Sequence, residues 1–420
     1  MKNLLILHAS QIATPIGNSI KHGKEMDQLK IINDGAIFLE DGLIKYIGET
    51  DEVIKKLNSN SISTIDQIID ATGSTLVPGF IDSHTHFLFA GYRLDEFCER
   101  VAGSTYLKIM EKGGGIQATV DATRNASAAK LKELGSNRLQ EMLRQGITTV
   151  EGKSGYGLDE ETELKQLRVF RELNITQPVD ISVTYLGAHA IPREFNNQAD
   201  EYIEFIIKEV LPVIKEENLA EFVDVFCDKG VFDLEVSRKL LKSAKKLGFK
   251  IKMHADEIAN LNGVKLASEL DAVSADHLIK ISSAEIDELS QKENTVATLL
   301  PCTAFCLKEN FAPARELIAK NCGVALASDY NPGSSFTCSI PLIVALSSFS
   351  MKMTMNEILT ALTLNGAAAL DVANKKGSLE PGKIGDIVLL NYPDFRYLLY
   401  NTGNNIVSKV IKNGRLVYQA

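Results

Sequence analysis

Tryptophan is absent from this 420-residue chain, and several other signatures are missing with it. The six cysteines (Cys98, Cys227, Cys302, Cys306, Cys322 and Cys338) include no C-x-x-C pair. Neither a disulfide framework nor a cysteine zinc knuckle is signalled, and a reducing cytoplasm is the natural setting. Positive charge is in deficit: 45 Lys+Arg against 54 Asp+Glu leave a formal net charge of −9. That balance argues against nucleic acid as a partner, because phosphate binding needs a basic surplus. No apolar run approaches membrane-spanning length, and Leu4-Leu5-Ile6-Leu7 is too short for a signal segment. Gly and Pro, at 29 and 11, are too few for a collagen-like or Pro/Gly-rich chain. What is present is an ordinary globular composition with enough apolar residue for a large core. Histidine is scarce, at 7, and its placement carries most of the information.

Both ends of the chain read as strands with turns. Gly35 to Leu39, then Asp41-Gly42, then Leu43 to Gly48 is a hairpin pattern. Near the other end stand Asp386 to Leu390, Val407 to Ile411, the turn Asn413-Gly414, and Arg415 to Tyr418. We expect a small β-sandwich built from residues 1–74 and 373–420, flanking a central domain over 75–372. The centre alternates strand-like runs (Thr75–Phe80, Ile147–Val150, Val179–Tyr185, Phe222–Phe226, Lys250–Met253, Ala272–Ala275, Val296–Leu300, Val324–Ala327) with helical stretches (Ala128–Arg144, Glu161–Leu173, Ala199–Glu217, Leu234–Leu247, Ala314–Lys320). Eight such strands predict an α/β fold, a (β/α)8 TIM barrel. A doubly wound open sheet predicts a glycine fingerprint after its first strand, and none is there.

Five histidines follow strand-like runs. His84 and His86 close the first, His189 the third, His254 the fifth and His277 the sixth, while Asp329 follows the eighth. The carboxyl ends of barrel strands share one face, so this order gathers them at one mouth. His84 and His86, at i and i+2 on a strand, point the same way. Imidazole with carboxylate suits Zn²⁺ or Fe²⁺ better than Ca²⁺ or Mg²⁺, and His254 and Asp329 complete a candidate set. An ion held there lowers the pKa of a water toward about 7. One H-x-H pair alone is a weak signal, and a single histidine is more often structural; the combination carries the reading. His8 and His22 fall in the β-rich region and read as surface residues.

Val77-Pro78-Gly79-Phe80-Ile81-Asp82-Ser83-His84-Thr85-His86 resembles the first-strand signature of the amidohydrolase superfamily. More narrowly, Lys153-Ser154-Gly155-Tyr156-Gly157, Tyr185 to Ala190, His254-Ala255-Asp256-Glu257, Ser274 to Leu278 and Asp329-Tyr330-Asn331-Pro332-Gly333-Ser334 resemble the imidazolonepropionase family of histidine degradation. The likeness runs through nearly the whole chain. It implies hydrolysis of the small anion 4-imidazolone-5-propanoate to N-formimidoyl-L-glutamate with one Zn²⁺ or Fe²⁺/Fe³⁺ per subunit, in a homodimer. It implies His84, His86, His254 and Asp329 as metal ligands. Arg93, Tyr156, His189 and Ser334 are implied to hold the substrate, with Asn331 and Gly333 at the opened product beside Tyr156. Glu257 is implied to touch substrate or attacking water, and His277 matches the sixth-strand histidine.

Arg93 offers a planar partner for a carboxylate, and Tyr156 stands in a Gly-Tyr-Gly turn. His189 is expected to polarise the ring carbonyl or bind the carboxylate. If a helical turn starts at His254, Glu257 shares its face. Acid and base duties stay open among Glu257, His277, Asp329 and His189. A rival aminohydrolase of a heterocyclic base shares the metal set without needing Arg93. Gly113-Gly114-Gly115 lacks a Gly-Lys-Ser/Thr ending, so it is read as a mobile loop over the site, not a phosphate loop. Cys302 and Cys306 are read as packing. Lys229 falls one residue late for an inward position on the fourth strand, so one metal is expected, not a lysine-bridged pair.

Overall fold

The computed structural model describes residues 3–59, 64–103, 114–196 and 198–420. Gly113 lies outside them, so the reading of the glycine run as a mobile loop falls partly outside the described residues.

Five strands come first: β1 (Leu4–Thr14), β2 (Lys30–Glu40), β3 (Leu43–Glu49), β4 (Gln67–Asp70) and β5 (Thr75–Pro78). The predicted hairpin is β2–β3, turning at Asp41 with φ 51° and Gly42 with φ 84°. Alternation sets two faces. Leu4, Ile6, Ile37 and Leu39 enter one core, while Leu5, Ala36 and Phe38 face the helix Thr50–Ser59 through Val53 and Leu57. That helix stands in a region read from sequence only as strands.

Eight parallel strands then pair in chain order: β6 (Phe80–Asp82), β7 (Ile147–Lys153), β8 (Asp180–Ala188), β9 (Phe222–Cys227), β10 (Lys250–Ala255), β11 (Ser274–His277), β12 (Val296–Leu299) and β13 (Val324–Leu326). The ring closes just past the last strand. Asp329 N–H donates to the His84 carbonyl at 3.0 Å and His86 N–H to the Tyr330 carbonyl at 2.9 Å. The segments that carry candidate ligands therefore also close the barrel. Finally β14 (Ile387–Leu390), β15 (Val407–Lys412) and β16 (Arg415–Gln419) join the first sheet, in the order β16-β15-β14-β5-β1-β2-β3 with β4 beside β1. The expected barrel with a small β-unit from both termini is the observed architecture.

Thr75–Phe80, read as one strand, is two. Thr75–Pro78 pairs with β14 and β1, and the barrel begins at Phe80. Gly79 divides them, and a Cβ there would meet Thr148 Oγ1 at 2.2 Å. The helix Ala128–Arg144 starts where the Ser127 hydroxyl accepts from Lys130 N–H, and stops before Gly146 with φ 85°. Its buried Leu131, Leu139 and Met142 recur at helical spacing and face the barrel core. The stretch Ala199–Glu217 is interrupted by a wider turn at Ile206–Val210 between Ala199–Phe205 and Leu211–Glu216. Pro212 lacks the N–H for a regular α-helical register, which accounts for the interruption. Among the described residues, no helix is long and apolar enough to cross a membrane.

Candidate active site

The five strand-end histidines meet at the carboxyl face of the barrel. Ring centroids lie 4.5 Å apart for His84–His254, 5.2 Å for His84–His86 and His254–His277, and 5.0 Å for His86–His189. His8 and His22 stay outside; His8 is exposed beside Asp34, and His22 reaches the Glu293 carbonyl.

Three imidazole nitrogens converge. His86 Nε2 lies 3.3 Å from His84 Nε2 and 3.4 Å from His254 Nε2, with all three side chains buried. Their far nitrogens explain the arrangement. His84 Nδ1 is 2.6 Å from Asp276 Oδ2 and His254 Nδ1 is 2.9 Å from Asp224 Oδ2. At His84 the Asp276 carboxylate accepts the Nδ1 proton, and at His254 the Asp224 carboxylate stands beside Nδ1, so the Nε2 atoms of both face inward. Burial, with Lys153 adding to it at His84 and His189 at His86, holds both imidazoles well below their usual pKa. Lone pairs facing each other in a dry pocket are a cradle for a cation. Asp329 completes it, with Oδ1 3.5 Å from His86 Nε2 and 3.7 Å from His84 Nε2. Its Oδ2 accepts from Thr303 at 2.6 Å, and burial pushes its carboxyl up to about 6. The donor set fits a divalent metal.

Beneath the cradle lies a buried charge network. Lys153 Nζ donates to Asp224 Oδ2 at 2.6 Å and Glu151 Oε1 at 3.0 Å; Lys252 Nζ reaches Glu151 Oε1 at 2.9 Å and donates to the Ser83 carbonyl. Lys153 is thus held as an ammonium among carboxylates, and Lys229 is exposed. Neither is placed to bridge two metals.

The mouth carries the remaining candidates. Arg93 pairs through Nε and Nη2 with Glu96, while Nη1 lies against Gly333, where a Cβ would meet it at 2.3 Å. Tyr156 is buried, its ring 5.4 Å from His189 and 6.1 Å from His86. The turn around it is held by the Glu163 carboxylate, which accepts from Gly155, Gly157 and Leu158 N–H at 3.1, 2.8 and 3.0 Å. His189 Nδ1 is 3.1 Å from the Gly155 carbonyl. Burial, with His254 nearby, pushes its pKa down to about 3. The Asn331 amide bonds its own loop: it accepts from Gly333 and Ser334 N–H at 2.8 and 2.7 Å and donates to Ser334 Oγ and the Asp329 carbonyl. Glu257 Oε2 lies 3.5 Å from His277 Nε2, and burial, with Asp329 beside it, raises the Glu257 carboxyl well above the usual range. The expected helical turn from His254 is not there. Asp256 adopts φ 52° and the chain bends, so Glu257 reaches the mouth from a loop. Asp256, His277 and Asp329 all have positive φ, with values of 52°, 79° and 51°, a concentration of strained backbone at one site.

An amidohydrolase family model matches residues 75–417. An imidazolonepropionase from Clostridium tetani is 51% identical over 417 residues, covering 99% of this chain and 98% of that protein. One from Parabacteroides distasonis is 50% identical, covering 98% of each. The chain belongs to the imidazolonepropionase family of amidohydrolases. Among solved structures, an adenosine deaminase from Xanthomonas campestris with bound zinc matches with a TM-score of 0.71 at 17% identity, covering 99% of this chain and 92% of that one. A guanine deaminase from E. coli matches at 0.73 and 14%, covering all of both. At that identity these two show the shared barrel fold.

As a member of this family the chain is a hydrolase, and the family with the His/Asp cluster points to a divalent metal. Every candidate read from sequence lies at this end of the barrel. Missed there were Asp224, Asp276, Lys252, Thr303 and Glu163, which hold the candidates in place. One signal was available: two aspartates, Asp224 and Asp228, stand in the apolar stretch Phe222 to Asp228, and a buried carboxylate needs partners.

Proposed function

We propose that this chain opens the ring of 4-imidazolone-5-propanoate by hydrolysis, giving N-formimidoyl-L-glutamate in histidine degradation. The observation that carries it is the full-length likeness, near 50% identity, to proteins named imidazolonepropionase. The geometry is consistent with it. His84, His86, His254 and Asp329 would hold one Zn²⁺ or Fe²⁺ ion, which would supply Lewis acidity toward the ring carbonyl and toward water near neutral pH.

The chain's own groups supply the rest. Arg93 Nη1 has no hydrogen bond among the described residues and meets the propanoate carboxylate. The Gly155 carbonyl can only accept, so His189 carries its proton on Nδ1 and offers a bare Nε2. A neutral His189 thus accepts a hydrogen bond from a ring N–H, and is no donor to the ring carbonyl. Glu257, beside His277 at the mouth, takes a proton from the attacking water and passes it to the departing ring nitrogen. Tyr156 and Ser334 line the pocket beside it.

The test is direct. Metal-loaded protein is incubated with 4-imidazolone-5-propanoate, and product is followed by mass spectrometry. Formimidoylglutamate at enzymatic rates is expected; substrate that outlasts the incubation unchanged sinks the assignment.

A further inference from the structure

Asp228 directly follows the fourth barrel strand, β9, and is buried, yet among the described residues no Lys, Arg or His side chain pairs with it. Its partners are backbone amides. Oδ2 accepts from Glu257 N–H and Ile258 N–H at 2.9 Å each; Oδ1 accepts from Ala259 N–H at 3.0 Å and Lys229 N–H at 2.7 Å. Three consecutive N–H groups converging on one carboxylate form an anion nest whose occupant is the chain itself. The far side of the same loop is tied by Asp256, whose carboxylate accepts from Leu261, Gly263 and Val264 N–H. Between these two anchors the Glu257 side chain emerges, beside His277.

We propose that Asp228 is the positioning residue for Glu257. By gathering the amides of residues 257–259 it fixes where the Glu257 carboxyl stands relative to the histidine cluster. This inference rests on the reading above, in which Glu257 moves the proton. The physical reason is geometric. Glu257 stands on a bend and not on a helix or strand, so no regular ladder holds its backbone. Hydrogen bonds to a charged acceptor are about twice as strong as neutral ones, and Asp228 supplies three to this bend. An asparagine there has one acceptor oxygen, and its NH2 faces amide donors at donor–donor distance.

The experiment compares the wild type with Asp228→Asn, Glu257→Gln and the double variant, each metal-loaded. Asp228→Asn is expected to keep its metal stoichiometry and to keep KM within about threefold, while kcat falls about 10- to 100-fold, less than the 10²–10⁴ a general acid–base group typically contributes. In the Glu257→Gln background the same change is expected to cost less than about threefold, because the group it positions is already disabled. Equal losses in both backgrounds overturn the proposal, as does an unchanged kcat.

Hydrogen exchange gives an arm that needs neither substrate nor variant. In the wild type the amides of 257–259 should exchange far more slowly than an exposed loop. Free exchange there overturns the clamp, and it decides the matter if Asp228→Asn fails to fold. A wild type inactive on imidazolonepropanoate refutes the substrate reading instead, while the exchange arm still judges the clamp.

Discussion

Lys153→Met tests the buried charge network. The ammonium lies 2.6, 3.0 and 3.7 Å from carboxylate oxygens of Asp224, Glu151 and Asp276, and all four side chains are fully buried. With Lys252 it sets two positive charges against three negative ones. Methionine keeps most of the stem's volume, so the cavity term is small. The lost cation is what matters. Breaking a buried pair by removing one partner costs about 3–5 kcal/mol. That is a large share of the roughly 5–15 kcal/mol that stabilises typical proteins. It corresponds to about a 10²- to 10⁴-fold rise in the unfolded fraction. The assay is urea unfolding of metal-free protein, followed by tyrosine fluorescence, which no tryptophan obscures. The companion Lys153→Met/Asp224→Asn removes the stranded carboxylate as well and should be no less stable than the single variant. A single-variant loss below about 1 kcal/mol, inside the range of exposed pairs, or a double variant with fully additive losses, refutes the reasoning.

Three further outcomes are expected. Glu163→Gln keeps one acceptor oxygen for the Tyr156 turn but loses the charge, so stability should fall by about 1–2 kcal/mol and KM should rise with metal content unchanged; unaltered melting and KM together count against the clamp on that turn. Arg93→Met should lower kcat/KM for the anionic substrate about 10- to 100-fold, the worth of a charge-assisted pair; an unchanged value favours a neutral substrate. Asp180 is buried in part between Lys376 and Lys412, which outweigh the burial and hold its carboxyl below 3.8. A lowered folded-state pKa contributes stability above the unfolded value, and that contribution disappears as pH falls through the folded one. Asp180→Asn should therefore melt lower than wild type at neutral pH, modestly because the side chain is partly exposed, and the gap should close on acidification below 3.8; a gap independent of pH contradicts the assignment.

Patterns that repeat locally were readable before any coordinates. The strand-end histidines could be placed because barrel strands run parallel and their ends share one face. Ala128–Arg144 was readable to the residue, with Ser127 before it and Gly146 beyond it. Features that depend on distant pairing were not. Thr75–Phe80 is one apolar run, but its halves pair with strands from opposite parts of the chain. Short helices such as Gly263–Glu269 and Ser283–Leu289 carry too few turns for a clear period. The partners of His84 and Lys153 lie 192 and 71 residues away, beyond any local pattern. The bend at Asp256 put Glu257 on a loop where spacing suggested a helix.

The seam at Gly79 sets an order of events during synthesis. Strand β5 receives one neighbour, β1, from residues made before it, and the other, β14, from residues made about 300 positions later. At roughly 5–20 residues per second, that neighbour arrives about 15 to 60 seconds after β5 leaves the ribosome. Throughout that interval a strand edge carrying Leu76 and Val77 stands open, the kind of edge that recruits strands from other chains. Any product that stops short of residue 387 keeps the edge permanently. The later strand β14 therefore acts as a seal on the earlier β5, and a copy cut short before it advertises itself to quality control by the surface it leaves bare.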